Sequence, residues 1–84
     1  MTTKKIKLSK IDVKSLGRRI REIRGFDLTQ VRFAGILGIR QTTLSKYEQG
    51  LAEPPLDILV RLRDYSGKSI DWIVTGESNE ERKS

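Results

Sequence analysis

The chain has no cysteine and no histidine, and only two prolines and one tryptophan among its 84 residues. The missing cysteines exclude a disulfide scaffold, thiolate catalysis and every cysteine-ligated metal site. The missing histidines remove the commonest general base and the commonest metal ligand, so a Ser-His-Asp hydrolase is excluded as well. No phosphate-cradling glycine loop and no nucleophile–base pair stand in their place. The expectation is a protein that is not an enzyme and that carries no metal and no cofactor. No run approaches the ~18 apolar residues of a membrane span, and residues 1–10 lack the apolar stretch of a secretory signal. A soluble, cytoplasmic chain is therefore expected. A single domain of this size hides only about 60–65% of its unfolded surface. Such a core leaves no room for a second domain holding a small-molecule effector, and none is expected.

What is present is positive charge, unevenly placed. The formal net charge is +6. Residues 1–24 hold nine Lys/Arg against Asp12 and Glu22, whereas residues 51–84 are slightly acidic. A basic leading third on a near-neutral domain points to a polyanion, nucleic acid before acidic membrane. The plainer alternative for Lys4, Lys5, Lys7 and Lys10 is a tail that only keeps the protein in solution.

Residues 1–12 read as a flexible basic arm, 13–76 as one helical domain and 77–84 as a polar tail. Val13, Leu16, Ile20 and Ile23 fall within about 80° of arc at helical spacing, which predicts an amphipathic helix stopped by Gly25. Arg24 lies at the edge of that arc. Thr29 can cap a short helix from Gln30 to Leu37, which Gly38 breaks. A second helix follows from Gln41 to Gln49 and is closed by Gly50. Two helices of about eight residues, joined by a three-residue turn containing glycine, are the helix-turn-helix pattern. After Pro54-Pro55, Leu56 to Tyr65 carries Leu56, Ile58, Leu59, Val60 and Leu62 around most of its circumference, so burial of most of that helix is expected. Ser69 can cap a last helix through Val74. The expected fold class is all-α: a compact bundle of five helices containing a helix-turn-helix.

The segment from Gln41 to Gln49 is the most informative. Gln41, Ser45, Gln49, Thr42 and Lys46 share about 140° of its circumference, while Leu44 and Tyr47 face the other way. One side is thus apolar and the other is a row of hydrogen-bonding side chains. Gln pairs bidentately with the N6/N7 edge of adenine, Lys donates to guanine, and Thr offers a methyl to thymine. A helix about 10–12 Å wide fits the major groove.

The run Leu28-Thr29-Gln30, Phe33-Ala34, Leu37-Gly38-Ile39, Gln41, Leu44-Ser45, Tyr47-Glu48 and Gly50 resembles the phage-repressor (Cro/repressor, XRE-type) helix-turn-helix family. Pro54, Leu56, Leu59 and the stretch from Ser69 to Glu77 are similar to that family's last two helices, so the likeness covers residues 15–77. The resemblance implies that Gln30 contacts a phosphate and buttresses Gln41, and that Gln41, Thr42, Ser45 and Lys46 read bases. It also implies an ion pair between Arg24 and Glu48. Thr29, Gln30, Gln49, Arg18 and Arg21 are the candidate phosphate contacts. Phe33, Ala34, Leu37, Ile39, Leu44 and Tyr47 are core, and Trp72 is core or a dimer contact.

The departures from the family are specific. Arg40 stands where Ser or Thr usually caps the recognition helix, a cap worth roughly 1 kcal/mol. Arg40 can instead reach a base or a phosphate and joins the candidate site. Gly35 in mid-helix costs about 1 kcal/mol relative to Ala. The loop from Gly50 to Pro55 has no basic residue for holding phosphates, and the turn between Arg24 and Leu28 is about one residue short. The resemblance implies a sequence-specific regulator of transcription, a repressor, bound to double-stranded DNA as a homodimer on a palindromic operator. The alternative is an antitoxin-like or coactivator-like module that binds a protein partner, for which Val31, Ile36 and Leu51 are the candidate contacts.

Overall fold

Leu8 and residues 10–77 are described in the computed structural model. Most of the expected arm, including Lys4, Lys5 and Lys7, and all of the expected tail beyond Glu77 lie outside the described residues. Five helices follow one another: α1 (Val13–Arg24), α2 (Gln30–Leu37), α3 (Gln41–Gln49), α4 (Leu56–Ser66) and α5 (Ile70–Thr75).

Local chemistry explains where these helices start and stop. Asp12, placed in the arm by sequence, instead caps α1. Its carboxylate accepts from Lys14 N at 3.1 Å and Ser15 N at 3.5 Å, and from the Ser15 hydroxyl at 2.9 Å. These bonds satisfy amides that have no partner inside the helix, and they hold the Asp12 carboxyl below its ordinary pKa. Thr29 Oγ1 caps α2 by accepting from Arg32 N, and Ser69 Oγ caps α5 by accepting from Trp72 N. The start of α3 has no side-chain cap, as Arg40 at that position implies. The turn between α2 and α3 is Gly38-Ile39-Arg40, with Ile39 N donating back to Ala34 O at 2.9 Å. That bond ties off the end of α2 and sets the direction in which α3 leaves.

Leu16 and Ile20 of α1, Phe33, Ala34 and Leu37 of α2, and Leu44 and Tyr47 of α3 meet Ile58, Leu59 and Leu62 of α4 and Ile73 of α5 in one core. Phe33 and Tyr65 add an edge-to-face ring contact at 5.2 Å. The expected burial of most of α4 is incorrect: Leu56 is 77% exposed and Val60 36% exposed. The core packs against one side of α4 only, and among the described residues no other helix covers these two. Trp72 is partly buried against the core, with Lys68 Nζ 5.0 Å from its ring centre.

Two arginines tie helices together in a way that spacing alone does not reveal. Arg19 donates through Nε to Ile73 O at 2.8 Å and through Nη2 to Val74 O at 2.9 Å, so α1 caps the end of α5. Arg61 donates to Leu37 O at 2.7 Å, so α4 caps the end of α2. Each places a cation at the negative end of a neighbouring helix, where the carbonyls lack partners.

The position of α3 depends on a residue with no side chain. A Cβ on Gly17 would overlap the Tyr47 carbonyl and come within 2.6 Å of the Glu48 carbonyl oxygen. The backbone of α1 thus lies directly on the end of α3. Gly50 completes the same contact: it has φ +75°, and a Cβ there would meet Lys14 at 2.8 Å.

Candidate nucleic-acid interface

Glu48 points inward from the last turn of α3, and its side chain is only 4% exposed. Arg24, at the end of α1, reaches it with two nearly parallel bonds, Nε to Oε2 at 2.8 Å and Nη2 to Oε1 at 2.9 Å. A third guanidinium N–H goes to Leu28 O at 2.9 Å, which pins the short loop before α2. The bidentate geometry is the strong form of this pair, and it raises the Arg24 pKa above its ordinary value despite partial burial.

Gln30, the first residue of α2, adds a further donor to the same carboxylate, Nε2 to Glu48 Oε1 at 2.9 Å. Its other end accepts from Gln41 Nε2 at 2.7 Å. Arg24, Glu48, Gln30 and Gln41 therefore form one continuous hydrogen-bonded chain. It joins the end of α1, the end of α3, the start of α2 and the start of α3. Among the described residues no buried side-chain nitrogen or oxygen lacks a partner, so the inner part of this chain is satisfied, the condition under which a polar network stiffens a fold.

Outward from this chain lies the solvent face of α3. Thr42 and Lys46 are exposed, Gln41 and Ser45 are half-buried, and Arg40 stands exposed at the helix start. Ser45 and Gln49 are not independent, because Gln49 Nε2 donates to Ser45 Oγ at 2.8 Å. Thr29 is exposed with its oxygen already accepting the cap bond, which leaves its hydroxyl proton for an outside acceptor. Gln30 has its oxygen and one amide proton turned inward, so a single side-chain N–H remains for an outside acceptor.

Arg18 and Arg21 are exposed on α1, Arg18 donating to Ser15 Oγ at 3.0 Å. Together with Arg24 and Glu22 they line an open concavity beside Gly25 and Phe26. The Phe26 ring is 99% exposed. Periodicity marks only residues inside helices, and Phe26 sits in a loop, so the sequence pattern does not single it out. Val31, Ile36 and Leu51 are also exposed, each on the surface rather than in the core.

These two short helices, their three-residue turn and the chain of side chains behind them define a helix-turn-helix domain. The helix-turn-helix family model matches residues 18–73, and the chain belongs to that family, of the XRE type. It is 34% identical over 50 residues to an uncharacterized HTH-type transcriptional regulator of Haemophilus influenzae, covering 60% of this chain and 21% of that protein. It is 38% identical over 53 residues to the Bacillus subtilis HTH-type transcriptional regulator YqaE, covering 63% and 46%. A third relative is the SPbeta prophage-derived regulator YonR of Bacillus subtilis, 37% identical over 59 residues, covering 70% and 53%. The chain thus spans between about a fifth and a half of the length of these curated relatives.

Among solved structures, the P22 c2 repressor in complex with a synthetic operator superposes with a TM-score of 0.68 at 25% identity, over 74% of this chain and 96% of that one. The restriction-modification controller protein C.AhdI of Aeromonas hydrophila gives 0.65 at 22% identity over the same shares, a likeness of fold.

Proposed function

We propose that the chain is a sequence-specific DNA-binding domain of a transcriptional regulator, with α3 seated in the major groove. The observation that carries this reading is the anchored Gln41. A flexible glutamine loses side-chain freedom on binding, whereas one already held by Gln30 meets a base edge at lower entropic cost. Gln41, Thr42, Ser45, Lys46 and Arg40 then read bases. Thr29, Gln30, Gln49, Arg18 and Arg21 hold the flanking phosphates, which position the protein without specifying sequence. The likeness to an operator-bound repressor and to three HTH-type transcriptional regulators supports the same reading.

Within it, the protein acts as a repressor in the cytoplasm, as a homodimer on a palindromic site whose half-sites lie about one helical turn apart. Among the described residues no helix is long and apolar enough to cross a membrane. The test is selection of bound duplexes from a random pool. Enrichment of a palindrome is expected, with binding that weakens steeply as salt rises. Binding without any preferred sequence, or an affinity indifferent to salt, overturns the reading.

A further inference from the structure

The hydrogen-bonded chain behind α3 has a direction, and that direction is decided at its buried end. A carboxylate only accepts hydrogen bonds and a guanidinium only donates them, whereas an amide can do either depending on which way it is turned. Glu48 accepts three bonds, two from Arg24 and one from Gln30. Gln30 must therefore face Glu48 with its NH2 group and face Gln41 with its oxygen. Gln41 in turn must face Gln30 with its NH2 group, as the 2.7 Å contact requires. Reversing Gln41 would set two carbonyl oxygens against each other at that distance. Reversing Gln30 would set an amide oxygen against a carboxylate.

Gln41 is thus left with its oxygen and one N–H for anything outside. In the major groove adenine presents one donor and one acceptor side by side, N6–H and N7, while guanine presents two acceptors, O6 and N7. An amide held in this direction matches adenine and sets its oxygen against guanine O6. An amide free to rotate could turn its NH2 group toward both guanine acceptors.

We infer that Glu48, acting through Gln30, is a specificity-positioning residue: it sets the direction of the Gln41 amide so that α3 accepts adenine and rejects guanine at one position of each half-site. This rests on the reading of α3 as the major-groove helix. Glu48 itself touches no base.

The experiment uses the full chain in four forms: unaltered, Gln41→Ala, Gln30→Met and Glu48→Gln. Each is put through selection from a random duplex pool, followed by affinity measurement on operators differing only by adenine or guanine. Gln41→Ala identifies the position concerned. Gln30→Met keeps the length of the side chain and the Arg24–Glu48 pair while cutting the chain in its middle. Glu48→Gln replaces the acceptor-only group by one that can be turned either way. The readout is the adenine-to-guanine ratio, in which any uniform weakening from a missing Gln30–phosphate bond cancels.

In the unaltered chain adenine should be favoured by about tenfold or more at that position. In Gln30→Met and Glu48→Gln the ratio should fall to within about twofold, with preferences at the other positions retained. Thermal melting by circular dichroism checks folding; if Glu48→Gln melts out, Gln30→Met decides alone. An unchanged ratio in Gln30→Met overturns the inference. So does a flattening of all positions together, which would mean a purely structural role, or a preference for another base at the Gln41 position. If the unaltered chain enriches no sequence, the major-groove reading itself falls, an outcome distinct from selective binding without the adenine dependence.

Discussion

Arg24 and Glu48 show how strongly a pair depends on where it sits. Exposed ion pairs contribute little, because water solvates each partner and salt screens both. Here the Glu48 side chain is 4% exposed and that of Arg24 15%, so removing one partner leaves the other poorly solvated. Losing either should cost up to ~3–5 kcal/mol, and less to the extent that water reaches the Arg24 side. A double-mutant cycle with Arg24→Met and Glu48→Leu, followed by urea unfolding, measures this. The double variant should be clearly more stable than the sum of the single losses requires. Strictly additive losses would mean the two side chains do not interact.

At the same scale, Gln41→Ala should leave the fold intact and cost about 1–3 kcal/mol of discrimination at one base position per half-site. Unchanged base preferences in a selection would remove this helix from the reading role.

Among the helices, two mid-helix glycines have opposite roles. Gly17 lies where α1 touches the end of α3, and a methyl group there would overlap backbone carbonyls. Gly35 lies on the outer face of α2, with nothing within 4 Å of where a Cβ would stand. Gly35→Ala should therefore raise stability by about 0.4–1 kcal/mol through the helix preference for alanine. Gly17→Ala should lower it by roughly 1–3 kcal/mol or more, because α1 and α3 must separate. Thermal melting of the two variants checks both signs, and a loss in Gly35→Ala would show that this glycine has a structural duty. Nothing in the monomer explains why Gly35 is a glycine.

The start of α1 supplies a pH dependence. The Asp12 carboxyl is lowered from its ordinary value of 3.8, chiefly by its bond from the Ser15 hydroxyl and then by the Ser15 amide. A depressed carboxyl favours the folded state above its unfolded pKa, and the benefit disappears as pH falls through the folded value. Melting temperature should therefore decline below about pH 4 more in the unaltered chain than in Asp12→Asn, which caps without titrating. Equal declines would remove Asp12 from the acid response.

Over the whole molecule, the fate of the positive charge decides how DNA would be held. Of the cations on α1, Arg24 and Arg19 are turned inward, to Glu48 and to the end of α5. Lys14, Arg18 and Arg21 remain on the surface. The four lysines of residues 1–10 thus form a larger share of the available charge than the composition suggests. Deleting residues 1–10 should weaken binding to all sequences alike and make the dependence on salt shallower, since every phosphate the protein no longer neutralises keeps about one condensed counterion. Base preferences should stay as they are. An unaltered affinity and salt slope would reduce the arm to a solubilising tail.

The helices, their caps at Thr29 and Ser69, the three-residue turn and nearly all of the core are legible in the sequence alone. Those features depend on spacing between near neighbours, which is what a periodic pattern records. The polar face of α3 was legible for the same reason, since an apolar Leu44 and Tyr47 can point only one way. Other features arise only when distant segments meet. Leu56 and Val60 are apolar yet exposed, because burial depends on whether another helix arrives to cover them. Arg19 and Arg61 cap helices far along the chain, and no local pattern distinguishes them from solvated Arg18. The direction of the Gln41 amide is the clearest case. Both turns of an amide are equally compatible with the sequence, and only the link through Gln30 to a buried carboxylate at the far end of the same helix selects one of them.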